Sequence, residues 1–150
     1  TLLTHDRLSQ VLGAPGVTGR AVEELLRYEG LLEMATERYA RVDVAMADVV
    51  IPRGSRVHAV LASANRDEVQ FPDPDRLDLS REPNRHVAFG HGIHFCAGAA
   101  LARLEGQIAL TTLAQRCPDL RLTQDPASLT WRRGLIMRGV EHLPVAFSPQ

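Results

Sequence analysis

The run Phe89-Gly90-His91-Gly92-Ile93-His94-Phe95-Cys96-Ala97-Gly98 constrains this chain more than the rest of its 150 residues. Its glycines let the backbone turn sharply and come close to a flat partner. The run delivers one thiol to the start of a periodic stretch from about Ala97 to Arg116. There Leu101, Leu104 and Ile108 share one face, and Pro118 stands just past the end. Unpaired N–H groups and the helix dipole favour negative charge at such a start, which stabilises a thiolate.

The other segments set the fold class. Residues 4–11 read as a short helical stretch broken by Gly13, Pro15 and Gly16. A stronger helix is predicted from Arg20 to Glu29, with Val22, Leu25 and Leu26 at i, i+3 and i+4 and Gly30 as its C-terminal stop. Residues 34–62 are rich in β-formers, Val42, Val44, Val49, Val50, Ile51, Val57, Val60 and Leu61, with a turn at Pro52-Arg53-Gly54. They predict two or three short strands in a small antiparallel unit. From Asn65 to Phe89 the chain has Pro, Asp, Asn and Arg but little periodicity. Structureless connections of about 25 residues are uncommon and are usually functional or disordered. The tail from Leu120 to Phe147 reads as strands joined by Asp125-Pro126 and Arg133-Gly134. With no βαβ rhythm, the fold class is mainly α with small β-sheets (α+β).

Charge and cysteine content narrow the setting. A net charge of −1 gives no electrostatic footprint for nucleic acid or a membrane surface, so neither is expected as a partner. No apolar run approaches the ~20 residues of a membrane span, and no signal-peptide pattern opens the chain. Cys96 and Cys117 make no disulfide framework, which fits a reducing cytoplasm. Thr1 is not expected to be the natural start.

Sulfur, glycine-opened backbone and a donor for a carboxylate at His94 are what one face of a haem iron requires, with Phe89 or Phe95 against the ring. Two other readings stand beside this. One is a glycine-rich helix entrance with a buried inert thiol. The other is zinc on His91, His94 and Cys96, which lacks a second ligand pair at the usual spacing. Glu24 and Arg27, opposite Val22, Leu25 and Leu26, form on their own an i, i+3 ion pair worth only ~0.2–0.5 kcal/mol.

FGHGIHFCAG resembles the haem-binding loop of the soluble bacterial cytochromes P450, F-G-x-G-x-[HR]-x-C-x-G, at every defined position. This family is the type case of thiolate-ligated haem iron. The resemblance continues through Glu24-Leu25-Leu26-Arg27, through Phe71 to Arg81, and through Ala64-Asn65-Arg66-Asp67 and Trp131-Arg132-Arg133-Gly134. It implies haem b as cofactor, with Cys96 as axial ligand and the only catalytic group in this portion. It places Phe89, Gly90 and Gly98 in the haem loop, and Arg38 and His94 on the haem propionates. Glu24, Arg27 and Arg81 become a structural triad that orders the long loop, and breaking it would lose haem. Arg103 becomes a docking cation for a ferredoxin- or flavodoxin-type electron donor. His86 and His91 are expected to satisfy loop backbone.

Leu77 stands where the family often has Phe, Ala47-Asp48 replaces a Gly-Gly turn, and Ala97 replaces a frequent Leu. Only the C-terminal part of the cytochrome P450 fold is matched, from the E-x-x-R helix through the cysteine loop to the C-terminus. Residues 1–150 therefore read as a single partial domain. The full-length reaction implied is insertion of one oxygen atom from O₂ into a small organic substrate. The isolated chain is expected to be inactive, because the distal helix and the pocket-forming segments lie outside it. The alternative is a non-catalytic truncated relic or a haem-thiolate binding module.

Overall fold

A computed structural model describes residues 1–5, 7–12 and 16–148. Helix α1 spans Val17–Tyr28, α2 Leu61–Ala64 and α3 Ala99–Arg116. Short strands intervene: β1 Arg38–Tyr39, β2 Val44–Met46, β3 Val49–Ile51, β4 Arg56–Val57, β5 Arg121–Leu122 and β6 Val145–Ala146. The class is mainly α with small sheets, as the residue pattern implies.

Helix α1 begins at Val17 rather than Arg20. Gly16, at φ +85°, turns the chain in, and its carbonyl accepts the Arg20 N–H at 3.2 Å. The first turn closes although Val17 and Thr18 are β-branched and weak helix formers. Of the breakers read ahead of it, Gly13 and Pro15 lie outside the described residues; the stretch before them ends in a 3₁₀ turn, Ser9–Leu12. At the other end Glu29 donates its N–H to the Leu25 carbonyl at 2.9 Å. Gly30 is not a left-handed stop. A Cβ there would lie 2.7 Å from the Leu26 carbonyl oxygen, so crowding is what requires glycine.

The β-rich segment forms nested antiparallel hairpins. Val44 pairs with Ile51 and Met46 with Val49 inside an outer pair, Arg38 with Val57 and Tyr39 with Arg56. The inner turn is Ala47-Asp48, and Ala47 rather than Asp48 takes the left-handed conformation, at φ +48°. In the tail, Arg121 pairs with Ala146 and Leu122 with Val145. Bridges from Leu32 to Met137 and from Met34 to Val60 tie residues 31–34 to both the tail and the hairpin unit.

The core lies between the N-terminal turn, α1, the long loop and α3. Leu2, Leu8, Val11, Ala21, Leu77, Leu79 and Ala114 form one buried cluster. Leu77, smaller than the Phe common in the family, is buried in it. Helices α1 and α3 approach closely at Gly106, where a Cβ would stand 3.3 Å from Val22 Cγ1. Leu101, Leu104 and Ile108 point away from this core into solvent. No helix among the described residues is long and apolar enough to cross a membrane.

Candidate functional site

Two consecutive glutamates on α1 organise the site. Successive helical residues are rotated by about 100°, so Glu23 and Glu24 face different neighbours. Glu24 faces the long loop and is completely buried, as is Arg27 at 1% exposure. This is not the solvated pair that the i, i+3 spacing suggests in isolation.

Arg27 Nε donates to Glu24 Oε2 at 2.8 Å and Nη2 to Oε1 at 2.9 Å. Its remaining donors reach three backbone carbonyls: Asn65 at 2.9 Å, Pro74 at 2.8 Å and Arg76 at 3.4 Å. All five guanidinium N–H groups therefore have partners. Arg81 completes the cluster, with Nε 3.2 Å from Glu24 Oε2 and Nη1 2.8 Å from the Pro72 carbonyl. The Asp78 N–H and Asn84 Nδ2 also donate to Glu24, at 2.9 and 3.1 Å. Burial pushes the Glu24 carboxyl up, but these hydrogen bonds and the Arg27 and Arg81 charges outweigh it and hold it below the ordinary glutamate range.

So the stretch from Asn65 to Phe89, which lacks regular secondary structure, is ordered by one buried carboxylate and the carbonyls Arg27 collects. Asn65 extends the network, because its Oδ1 accepts the Val87 N–H at 2.8 Å. The Asn84 Oδ1 is buried without a partner, next to this network.

The cysteine loop follows directly. Gly90 at φ +74° and Gly92 at φ +79° are left-handed, a conformation costly for any other residue. Between them and the helix sits a 3₁₀ turn, Gly92–His94. The Cys96 N–H bonds back to the Phe89 carbonyl at 3.0 Å, and its own carbonyl accepts from Ala99 at 3.2 Å. Helix α3 begins at Ala99, not Ala97, with Gly98 as N-cap. Cys96 is free and exposed, and Cys117 is also free. A Cβ at Gly98 would lie 3.9 Å from the Cys96 Sγ, so a longer side chain there would crowd the sulfur. Phe89 and Phe95 meet edge to face, with ring centroids 6.3 Å apart.

Phe89, Gly90, His94, Cys96 and Gly98 thus lie on one loop. Arg38 does not join them through any hydrogen bond or ion pair among the described residues. It is exposed on β1, and its Nη1 donates to the Thr36 and Glu37 carbonyls at 3.2 Å each. His94 is exposed as well, and His91 makes no side-chain capping bond. Among the described residues no three His, Cys, Asp or Glu side chains gather around a metal-sized position, so His91, His94 and Cys96 do not converge.

Arg103, which the resemblance makes a docking cation, is engaged within the chain. Its Nε and Nη2 donate to Glu23 Oε1 and Oε2 at 2.6 and 3.0 Å, and its guanidinium carbon lies 4.7 Å from the Phe89 ring centroid. His86 Nε2 donates to the same Glu23 carboxylate at 3.1 Å, while its Nδ1 accepts the Ala88 N–H at 3.2 Å. That pattern assigns a neutral imidazole with its proton on Nε2. Burial is the main reason the His86 pKa falls below its ordinary value; the Glu23 carboxylate opposes the shift without cancelling it. Sequence reasoning missed Glu23, Asn65 and Asn84. The one signal for Glu23 was its place beside Glu24 on a helix that is covered on more than one side.

The chain belongs to the cytochrome P450 family: the family model described as Cytochrome P450 matches residues 16–139. It is similar to cytochrome P450 107B1 of Saccharopolyspora erythraea, 51% identical over 140 residues, covering 93% of this chain and 35% of that protein. The cytochrome P450 monooxygenase PikC of Streptomyces venezuelae is 48% identical over 145 residues, covering 96% of this chain and 35% of its own length. Among solved structures, the tirandamycin C-bound P450 monooxygenase TamI superposes with a TM-score of 0.94 at 43% identity. That match covers 98% of this chain and 37% of TamI. The chain therefore spans about a third of the length of the relatives it matches, and their fold over that third is the fold seen here.

The family implies haem, and the donor set suits it. One soft sulfur stands free in a loop opened by left-handed glycines, and a Cβ at Gly92 would meet nothing within 4 Å. Ile93 (98% exposed) and the half-exposed Phe95 offer apolar contact on the same loop. A flat haem held through one sulfur would use these features, whereas structural zinc needs four converging ligands.

Proposed function

We propose that this chain is one partial domain carrying the thiolate side of the haem site of a cytochrome P450 monooxygenase, with haem b as its cofactor. The observation that carries the reading is Cys96, free and exposed beyond two left-handed glycines at the mouth of α3, in a chain of this family. The Cys96 N–H bond to the Phe89 carbonyl fixes the direction from which the sulfur is offered. Bound haem supplies the iron at which oxygen is activated. Gly98 keeps a side chain away from the sulfur, Gly90 supplies the left-handed turn that leads into the loop, and Phe89 braces it. His94 and Arg38 are exposed donors for the two propionates. Glu24, Arg27 and Arg81 hold the preceding loop in the shape that presents Phe89.

Named relatives include 6-deoxyerythronolide B hydroxylase and mycinamicin IV hydroxylase/epoxidase, which supports a small organic substrate for the full protein. Its reaction is insertion of one oxygen atom from O₂, with electrons from a ferredoxin- or flavodoxin-type donor. Two free thiols and no membrane-length helix among the described residues fit a cytoplasmic setting. The isolated 150 residues lack a distal wall to exclude water and are proposed to be inactive.

Transfer of haem to excess apomyoglobin tests the assignment. In the haem-loaded protein that carries this chain, Arg38→Ala and His94→Ala are each expected to speed haem loss about ten-fold, the worth of one charge-assisted hydrogen bond. Cys96→Ala is expected to speed it further. Wild-type loss rates in all three would rule out this site.

A further inference from the structure

The Glu23 cluster has no place in the triad or in the haem contacts above. One carboxylate there touches both ends of the cysteine loop. On the incoming side it holds His86 Nε2 at 3.1 Å, and His86 in turn accepts the Ala88 N–H. On the outgoing side it holds Arg103, a residue of α3, through two bonds of 2.6 and 3.0 Å. Arg103 then lies over the ring of Phe89, whose carbonyl accepts the Cys96 N–H. The cluster is partly shielded: the His86 side chain is 2% exposed, and those of Glu23 and Arg103 are 28% and 33% exposed.

We infer that Glu23 is a positioning residue for the Cys96 ligand, acting through Arg103 and His86 to fix the span between the loop's two ends. This rests on the haem-thiolate reading above and adds to it a second carboxylate beside the triad. A bidentate pair fixes both distance and plane, so the guanidinium face that meets Phe89 is set by Glu23 rather than by Arg103 alone. Loss of Glu23 leaves the loop held by its backbone bonds, the Asn65 bond to Val87 and the Phe89–Phe95 contact, none of which ties it to α3 through Arg103, and the sulfur then samples orientations unsuited to holding the haem iron.

The test uses the haem-loaded protein that carries this chain, with CO as the probe. Glu23→Gln, Arg103→Gln and the double variant are held well below the melting temperature measured for each. The ferrous–CO Soret band is followed over time as it converts from the thiolate type to the neutral-ligand type. Each single variant is expected to convert about five-fold faster than wild type, the worth of a half-exposed charge-assisted pair. The double variant is expected to be no faster than the faster single one, because both break one linkage. Arg121→Gln, which breaks an exposed pair on β5, is expected to match wild type.

If the glutamine variants do not fold, Arg103→Lys keeps the charge but loses the planar, two-bond contact, and the same acceleration is expected. Wild-type conversion in the folded variants, or additive effects in the double one, would overturn the inference. A Cys96→Ala control separates the two claims. If it loses the thiolate band while the Glu23 variants stay normal, this inference alone fails; if it keeps the band, the ligand assignment fails with it.

Discussion

At the scale of single residues, Glu24 concentrates the cost and the gain. A buried carboxylate and a buried guanidinium are expensive to desolvate, and removing one partner of such a pair typically costs about 3–5 kcal/mol. Here the expense is offset because every donor of Arg27 is used and Glu24 also accepts from Arg81, Asp78 and Asn84. The pH consequence has a definite sign. Glu23, Glu24 and Asp78 are all held below their ordinary carboxyl values in the folded protein. For Glu23 and Glu24 burial pulls the other way and is outweighed by Arg103 and Arg27; for Asp78 the chief cause is the Ser80 hydroxyl hydrogen bond. Their stabilisation is complete above the unfolded carboxyl pKa of about 4 and is lost as pH falls through the lower folded values. Urea midpoints should therefore begin to decline as pH falls through about 6.5, where the unfolded chain protonates His86 more readily than the folded one, and fall steeply below about 4. A midpoint unchanged down to about pH 3 would contradict this placement of charge.

At the scale of elements, α1, α3 and the hairpin unit were legible but the reasons for their ends were not, and α2 was missed because Leu61, read as a strand former, opens that short helix. The spacing of Val22, Leu25 and Leu26 announces α1, but its start at Val17 depends on Gly16 and on the Thr18 hydroxyl bond to the Val11 carbonyl at 2.9 Å. Glu24, Arg27 and Arg81 could be named as partners through the resemblance to the family, since their charges alone suggest only a solvated i, i+3 pair. The carbonyls of Asn65, Pro74 and Arg76 could not, since every residue has one. The Glu23 partner of Arg103 was illegible for a related reason: sequence shows a charge but not a contact 80 residues away. Gly30 was recognised as the end of α1, while its cause is a neighbouring carbonyl. That cause is testable. Gly30→Ala places a Cβ against the Leu26 oxygen at 2.7 Å and should destabilise the protein by about 1–3 kcal/mol, read as a lower melting temperature. A neutral or stabilising effect would mean that the helix end relaxes freely.

At the scale of the whole molecule, apolar side chains stand exposed on three segments. Leu101, Leu104 and Ile108 on α3, Val49 and Val50 on the inner hairpin, and Leu135 and Ile136 in the tail are exposed. Large apolar side chains exposed in this number mark surface made to be covered. The chain covers 35% of cytochrome P450 107B1 and of PikC, so the remaining two-thirds of such a protein is the natural cover in the proposal advanced here. The sulfur of Cys96 is the one point at which sequence motif, loop geometry and family chemistry meet. Its role is read most directly by the ferrous–CO difference spectrum of the haem-loaded protein that carries this chain, recorded beside Cys96→Ala. The account predicts a strongly red-shifted, thiolate-type Soret band that disappears in the variant. A neutral-ligand band in the wild type, or a thiolate-type band that survives the substitution, would contradict it.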